Sequence, residues 1–203
     1  MGHIISPQAE DFLDQELPVP SHGFVRLVDY MGSDQSIVQA ARVSYGGGTK
    51  SVREDRGLIR YLLRHDHTTP FEMVVLKFHI KAPIFITRQW LRHRTASVNE
   101  ESARYSIVRE EFHEPSRADI GFQSKDNKQG RSSEQVPAEI VDRFLNHLKE
   151  TRETAYDLYE GFLADNVARE LARAVLPLST YTQFYWQMNL HNLFHFLRLR
   201  MDP

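Results

Sequence analysis

Residues 92–105 read Arg92-His93-Arg94-Thr95-Ala96-Ser97-Val98-Asn99-Glu100-Glu101-Ser102-Ala103-Arg104-Tyr105, which packs three arginines, one histidine, two serines, one asparagine and two glutamates into fourteen residues. No apolar period runs through the segment, so burying a face is not its purpose. Arginine forks match phosphate and carboxylate oxygens in pairs and keep their proton. Serine, asparagine and glutamate add the donors and acceptors that read a sugar or a base edge. These types suit capture of an anionic, nucleotide-like ligand. The plain alternative is a solvated, salt-bridged loop, and the apolar run Ile84-Phe85-Ile86 just upstream argues against it.

Other chemistry-bearing residues stand in smaller groups. Gln89 and His93 are four apart, as are Arg88 and Arg92, so a helix puts each pair on one face. His65 and His67 lie beside Thr68, Thr69 and Glu72; they read either as the end of a helix or as part of a metal site with no third ligand nearby. His191 and His195 share a helix face behind Asn189 and leave the same choice open, without an HExxH pattern. Arg169 and Arg173 share a face, and Glu170 offers Arg173 a partner within the helix. Arg198 and Arg200 are separated by roughly 200° around a helix, so only one can face a given site. Ser102 reads as a phosphate-binding hydroxyl or as a nucleophile, but no histidine–aspartate pair is placed to activate it. Backbone amides near Ser102 and Ala103 suit a phosphate nest. Gly46-Gly47-Gly48 reads as a hinge rather than a phosphate loop, since no GxxxxGK[ST] or GxGxxG pattern surrounds it.

These groups need a frame. Residues 23–31 predict a strand, and Ser33-Asp34 an N-cap for a short helix through Ala40-Ala41. Leu58, Tyr61, Leu62 and Leu63 put an apolar stripe on a helix over about 52–65, ended by Pro70. Residues 73–81 predict a second strand and 84–91 a helix leading into the arginine segment. Helices are expected over about 138–165, 168–176 and 189–200, and a strand over 179–187. Residues 1–21 read as an arm, 22–203 as one domain, and the polar stretch 114–137 as a long surface loop. The elements do not form regular βαβ units, so the expected class is α+β: a single domain with a mixed or antiparallel sheet flanked by helices.

Composition narrows the function. The chain has 203 residues, enough for one sizeable domain. Its formal net charge of -2 argues against a long nucleic acid as partner and for a small anionic ligand. Cysteine is absent, which removes disulfides, zinc–thiolate sites and thiolate nucleophiles. No apolar run approaches the length of a membrane span, and the N-terminus has no signal-peptide pattern; a cytoplasmic location is expected.

The segment RHRTASVNEESARY matches every fixed position of the RHRxxSxNxxSxRY signature and so resembles the flavin-dependent thymidylate synthases (the ThyX family). The likeness runs from GFVRLVDYMG through AARVSYGG, HDHTTPFEM and KAPIFITRQWLRHR to ARAVLPLSTYT and NLHNLFHFLRLRMDP. It implies reductive methylation of dUMP to dTMP, with methylenetetrahydrofolate as one-carbon donor and NADPH as reductant through FAD. It implies FAD contacts at His67, Thr69, Arg92, His93, Arg94, Glu100, Asn189, His191 and His195. It places dUMP against Gln89, Trp90, Leu91, Arg92, Glu100, Glu101, Ser102, Ala103, Arg104, Arg173 and Arg200. It makes Arg200 the catalytic residue, whose cation is expected to stabilise the charge that develops when the uracil is activated without a cysteine adduct. The resemblance also implies a homotetramer with shared sites and no resident metal. Relatives continue past LRMDP with further helix, so the C-terminal helix here is expected to be cut short and Arg200 to sit near a fraying end. Two readings of other classes remain: a nucleic-acid-binding module using arginines and aromatics, and a metal-dependent hydrolase built on His65, His67, His191 and His195.

Overall fold

A computed structural model describes residues 4–43 and 52–201. Gly46–Gly48 therefore lie outside the described residues. The chain runs α1 (Pro7–Glu10), β1 (Glu16–Val19), β2 (Gly23–Met31), α2 (Asp34–Val43), α3 (Val52–Arg64), β3 (Val75–Pro83), α4 (Ile84–Trp90), β4 (Ser97–Glu100), α5 (Ala138–Ala164), α6 (Arg169–Ala172), β5 (Tyr181–Asn189) and α7 (Leu190–Arg200). The five strands form one sheet in the order β1-β2-β3-β5-β4, with every pairing antiparallel. The class is α+β, and of the two sheet types expected the antiparallel one is found.

The centre of the sheet is β3 and β5, paired from Val75↔Asn189 to Pro83↔Tyr181. Along β5, Phe184, Trp186 and Met188 are buried while Tyr185 and Gln187 are exposed. That period of two puts one face of the sheet in the core. There Ile80, Ala82, Phe184, Trp186 and Met188 pack with Phe196 of α7, and Trp90 of α4 meets Trp186 and Phe196 at ring-centroid distances of 5.1 and 4.9 Å. A second core joins Ile37, Leu62, Phe71 and Val74, under α2 and α3.

Caps explain several boundaries. The Ser33 hydroxyl accepts from Gln35 N at 3.2 Å and starts α2. Gly32 before it has φ +85, and a Cβ there would stand 2.9 Å from the Met73 carbonyl. Asn189 caps α7 by accepting from Asn192 N at 2.9 Å. At α4, Ile84 N and Phe85 N donate to the carbonyls of Thr180 and Leu178, so first-turn donors that would be unpaired are satisfied by the approach to β5.

Three features differ from the expected elements. β1 lies within the arm and β4 within the arginine segment. All eight of their residues are exposed, so neither strand carries the alternation that a sequence can reveal. The helix expected over 168–176 is two shorter pieces: α6, then a 3-10 turn over Arg173–Val175. Pro177 holds Leu176 extended at ψ 135, and the chain tightens before it. Finally, Thr69–Met73 forms a 3-10 turn, which delays β3 by two residues.

Candidate functional site

Two strand ends and one turn build the main cleft. At the start of β5, Gln183 exchanges backbone contacts with Glu101: Glu101 N donates to Gln183 O at 2.9 Å, and Gln183 N donates to the Glu101 carboxylate at 3.0 Å. Next to it, the Thr182 hydroxyl donates to Glu100 at 2.7 Å. Beyond β4 the chain makes a helical turn, with Tyr105 N and Ser106 N on the Ser102 carbonyl. The Ser102 hydroxyl accepts from Arg104 N at 3.3 Å. Two tyrosines of α5 then pin the segment at Val108: its N–H donates to Tyr159 at 3.0 Å, and its carbonyl accepts from Tyr156 at 3.1 Å.

The result is a cleft of about 750 Å3 that brings together Glu100, Glu101, Ser102, Ala103 and Arg173. Arg104 stands at its rim, 3.4 Å from Glu170, so Glu170 partners Arg104 in place of the Arg173 pairing that the helix spacing offered. Arg169 is spent on the carbonyl of Tyr105 at 2.8 Å. Among the cleft residues that escaped sequence reasoning are Lys81, Arg109, Glu111, Thr182 and Gln183. Lys81 sits in an apolar-looking strand, and Glu111 in a segment without pattern.

A second group surrounds Arg200. Its Nε donates to His93 Nε2 at 2.9 Å, and its Nη2 to the Gln89 carbonyl at 3.4 Å. Burial first, then the Arg200 and His195 charges, holds His93 below its ordinary pKa. A guanidinium can only donate, so His93 must be neutral with its Nε2 lone pair toward Arg200. The ring also packs edge-on against Phe196 at 4.9 Å. Arg200 is therefore anchored to the turn after α4, despite closing α7. Trp90 turns its indole into the core, and Leu91 caps α4 with its N–H on Thr87 O, so these two offer backbone atoms to a ligand at this turn.

The third group flanks α7. Phe71 of the 3-10 turn packs on Phe194 at 6.1 Å, and Asn192 donates to the Thr95 carbonyl at 3.3 Å. α7 thus lies between the His67–Thr69 turn and the arginine turn. His67 meets Tyr61 edge-on at 5.9 Å, and His65 stands 4.3 Å from the same ring. His67, Thr69, Arg92, Arg94 and His195 are exposed, while Asn189 and His191 are half-buried. Around α7 these residues are cations and neutral donors, with Glu100 of β4 the one carboxylate of the expected set, and such a group suits an anionic dinucleotide with aromatic rings, so it fits a flavin dinucleotide. Among the described residues, no three histidines, aspartates or glutamates gather as a metal site. Also among them, no helix is long and apolar enough to cross a membrane.

Known proteins match this arrangement. The model of the thymidylate synthase complementing protein family matches residues 26–203. A flavin-dependent thymidylate synthase of Treponema denticola is 60% identical over 190 residues, covering 94% of this chain and 71% of the relative. One from Thermus thermophilus is 59% identical over 187 residues, covering 92% of this chain and 67% of the relative. Among solved structures, a UMP/dUMP methylase from Streptomyces cacaoi bound with 5-Br dUMP superposes with a TM-score of 0.81 at 37% identity, covering 90% of this chain and 80% of that one. The same enzyme bound with 5-Br UMP gives 0.80 at 38% identity.

Proposed function

The chain belongs to the flavin-dependent thymidylate synthases, and from that membership we propose how its residues divide the work. The reaction is reductive methylation of dUMP to dTMP, with FAD as cofactor and NADPH and methylenetetrahydrofolate as co-substrates. The cleft between β5 and the 101–113 segment is the dUMP site. The observation that carries this assignment is the meeting of Arg173 with Glu101, Ser102 and Ala103 in one cleft of nucleotide size.

Arg173 and the amides near Ser102 and Ala103 hold the phosphate, with Arg104 closing the rim. Ser102 acts as a hydrogen-bonding hydroxyl: it already accepts from Arg104 N, and no cleft histidine stands beside it. Glu100 and Glu101 offer acceptors to the sugar. Gln89, Arg92 and the backbone of Trp90 and Leu91 approach the base. Arg200 carries the catalytic charge. Held by neutral His93, its guanidinium is a pre-oriented cation for the negative charge that develops on the uracil, the task a cysteine adduct performs elsewhere. His67, Thr69, Arg92, His93, Arg94, Glu100, Asn189, His191 and His195 hold FAD, which supplies the hydride when reduced.

These groups do not all line one cleft within a single chain, which supports a homotetramer with sites completed by neighbouring chains. The location we assign is cytoplasmic, in keeping with a chain free of cysteine.

Titration of flavin-loaded enzyme with dUMP tests the cleft. Arg173→Ala should weaken binding by about 1.5–3 kcal/mol, the worth of a charged hydrogen bond. Unchanged affinity would remove Arg173 from the site.

A further inference from the structure

Lys81 is the one charged side chain among the buried polar residues described, with 9% of its surface exposed on the central strand β3. Its Nζ lies 2.7 Å from Glu111 Oε2, and Glu111 keeps 26% of its own side-chain surface. Taking such a pair out of water cancels much of its attraction, and an apolar pair would give comparable stability. Fold stability therefore does not explain the pair, and its location supplies the reason. Both residues line the nucleotide cleft. Lys81 faces Gln183 across the sheet, and Gln183 is the residue that holds Glu101. Glu111 closes the same segment from its other end, its carbonyl accepting from Tyr181 N at 3.0 Å.

The segment from Glu101 to Glu111 is thus fastened to Gln183 at its start, to Arg169 at Tyr105, to Tyr156 and Tyr159 at Val108, and to Tyr181 N and Lys81 at its end. Ser102, Ala103 and Arg104 lie in the span between the first two. Two charge pairs stand at the cleft: the exposed Arg104–Glu170 pair at its rim, and Lys81–Glu111, the one of the two with a buried member.

We propose that Lys81 is a positioning residue of the substrate cleft, acting through Glu111 to hold the 101–111 segment in the shape that binds the nucleoside monophosphate. The inference rests on the cleft being the dUMP site. Lys81 is not a ligand of the nucleotide in this account, and its ammonium stays with Glu111 when the cleft fills.

The test uses flavin-loaded Glu111→Gln, Lys81→Met and Lys81→Arg, with Arg173→Ala as reference. Glu111→Gln and Lys81→Met should raise the Kd and KM for dUMP roughly tenfold or more. Their kcat at saturating dUMP and their flavin spectrum should change little. Lys81→Arg should restore most of the affinity. Glu111→Gln separates positioning from direct contact: an ammonium that touched the nucleotide would be freed by loss of Glu111, and binding would tighten. Affinity within about twofold of the parent enzyme, or tighter, in Glu111→Gln overturns the proposal. Should Lys81→Met fail to fold, Glu111→Gln decides alone. If Arg173→Ala weakens dUMP and Glu111→Gln does not, this inference falls by itself. If neither does, the cleft assignment falls and takes the inference with it.

Discussion

Arg200 and His93 are 107 positions apart in sequence, yet one depends on the other for its direction. Helix geometry made clear that only one of Arg198 and Arg200 could face the site. It could not show that His93 receives Arg200, because that bond forms only once α7 folds back beside the turn after α4. The His93 ring is held neutral by burial, with Arg200 and His195 adding to the effect. A histidine with a depressed pKa contributes fully above its unfolded value and loses that contribution as pH falls through the folded one. Protonated His93 would also repel Arg200. Turnover should therefore show an acid limb below the ordinary histidine range of about 6.5. His93→Gln keeps an acceptor without a titrating ring, and pH–rate profiles should show that limb gone. A limb that persists unchanged would detach His93 from Arg200's function. Lys81 makes the converse point about legibility. Its type and position were plain, but a lysine in a strand reads as an edge or solvent residue until the partner strand and Glu111 are in place.

The elements that hold the cleft were legible where burial imposes a period and illegible where it does not. The β3 and β5 strands, α4, α5 and α7 follow from alternating or helical apolar patterns. The β4 strand has four exposed residues and exists because β5 offers it a free edge, with Ser97↔Gln187 through Glu100↔Phe184 in register. So the arginine segment, which reads as pure loop, begins as a strand, and this gives Glu100 and Glu101 fixed places. Further along, Tyr159 has no exposed surface and takes the Val108 N–H. Tyr159→Phe should leave that donor without its partner and cost about 1–3 kcal/mol. Denaturant unfolding should record the loss, accompanied by weaker dUMP binding as the segment loosens. Unfolding and binding both unchanged would show that Val108 is not an anchor of the cleft.

At the scale of the molecule, large apolar residues remain exposed on several faces, among them Ile107 at 57%, Phe144 at 48%, Leu158 at 48% and Leu171 at 67%. Ile107 lies in the cleft wall itself, and Leu171 on the short helix before Arg173. The homotetramer proposed above would cover residues of this kind at its contacts. Sedimentation velocity of the flavin-loaded protein should give a tetramer, while a monomer with full turnover would contradict shared sites. No single-chain reasoning from composition reaches this point, since a charge of -2 and an ordinary apolar content fit monomer and oligomer alike. The central claim is that arginines, with no sulfur nucleophile, hold a deoxyuridine monophosphate against a flavin. Its most direct test is the visible absorbance spectrum of the FAD-loaded protein during dUMP titration. The account predicts a yellow protein whose flavin bands shift saturably with dUMP, and a shift that demands far more dUMP in Arg173→Ala. A protein that stays colourless after FAD addition and desalting, or flavin bands indifferent to dUMP, would contradict it.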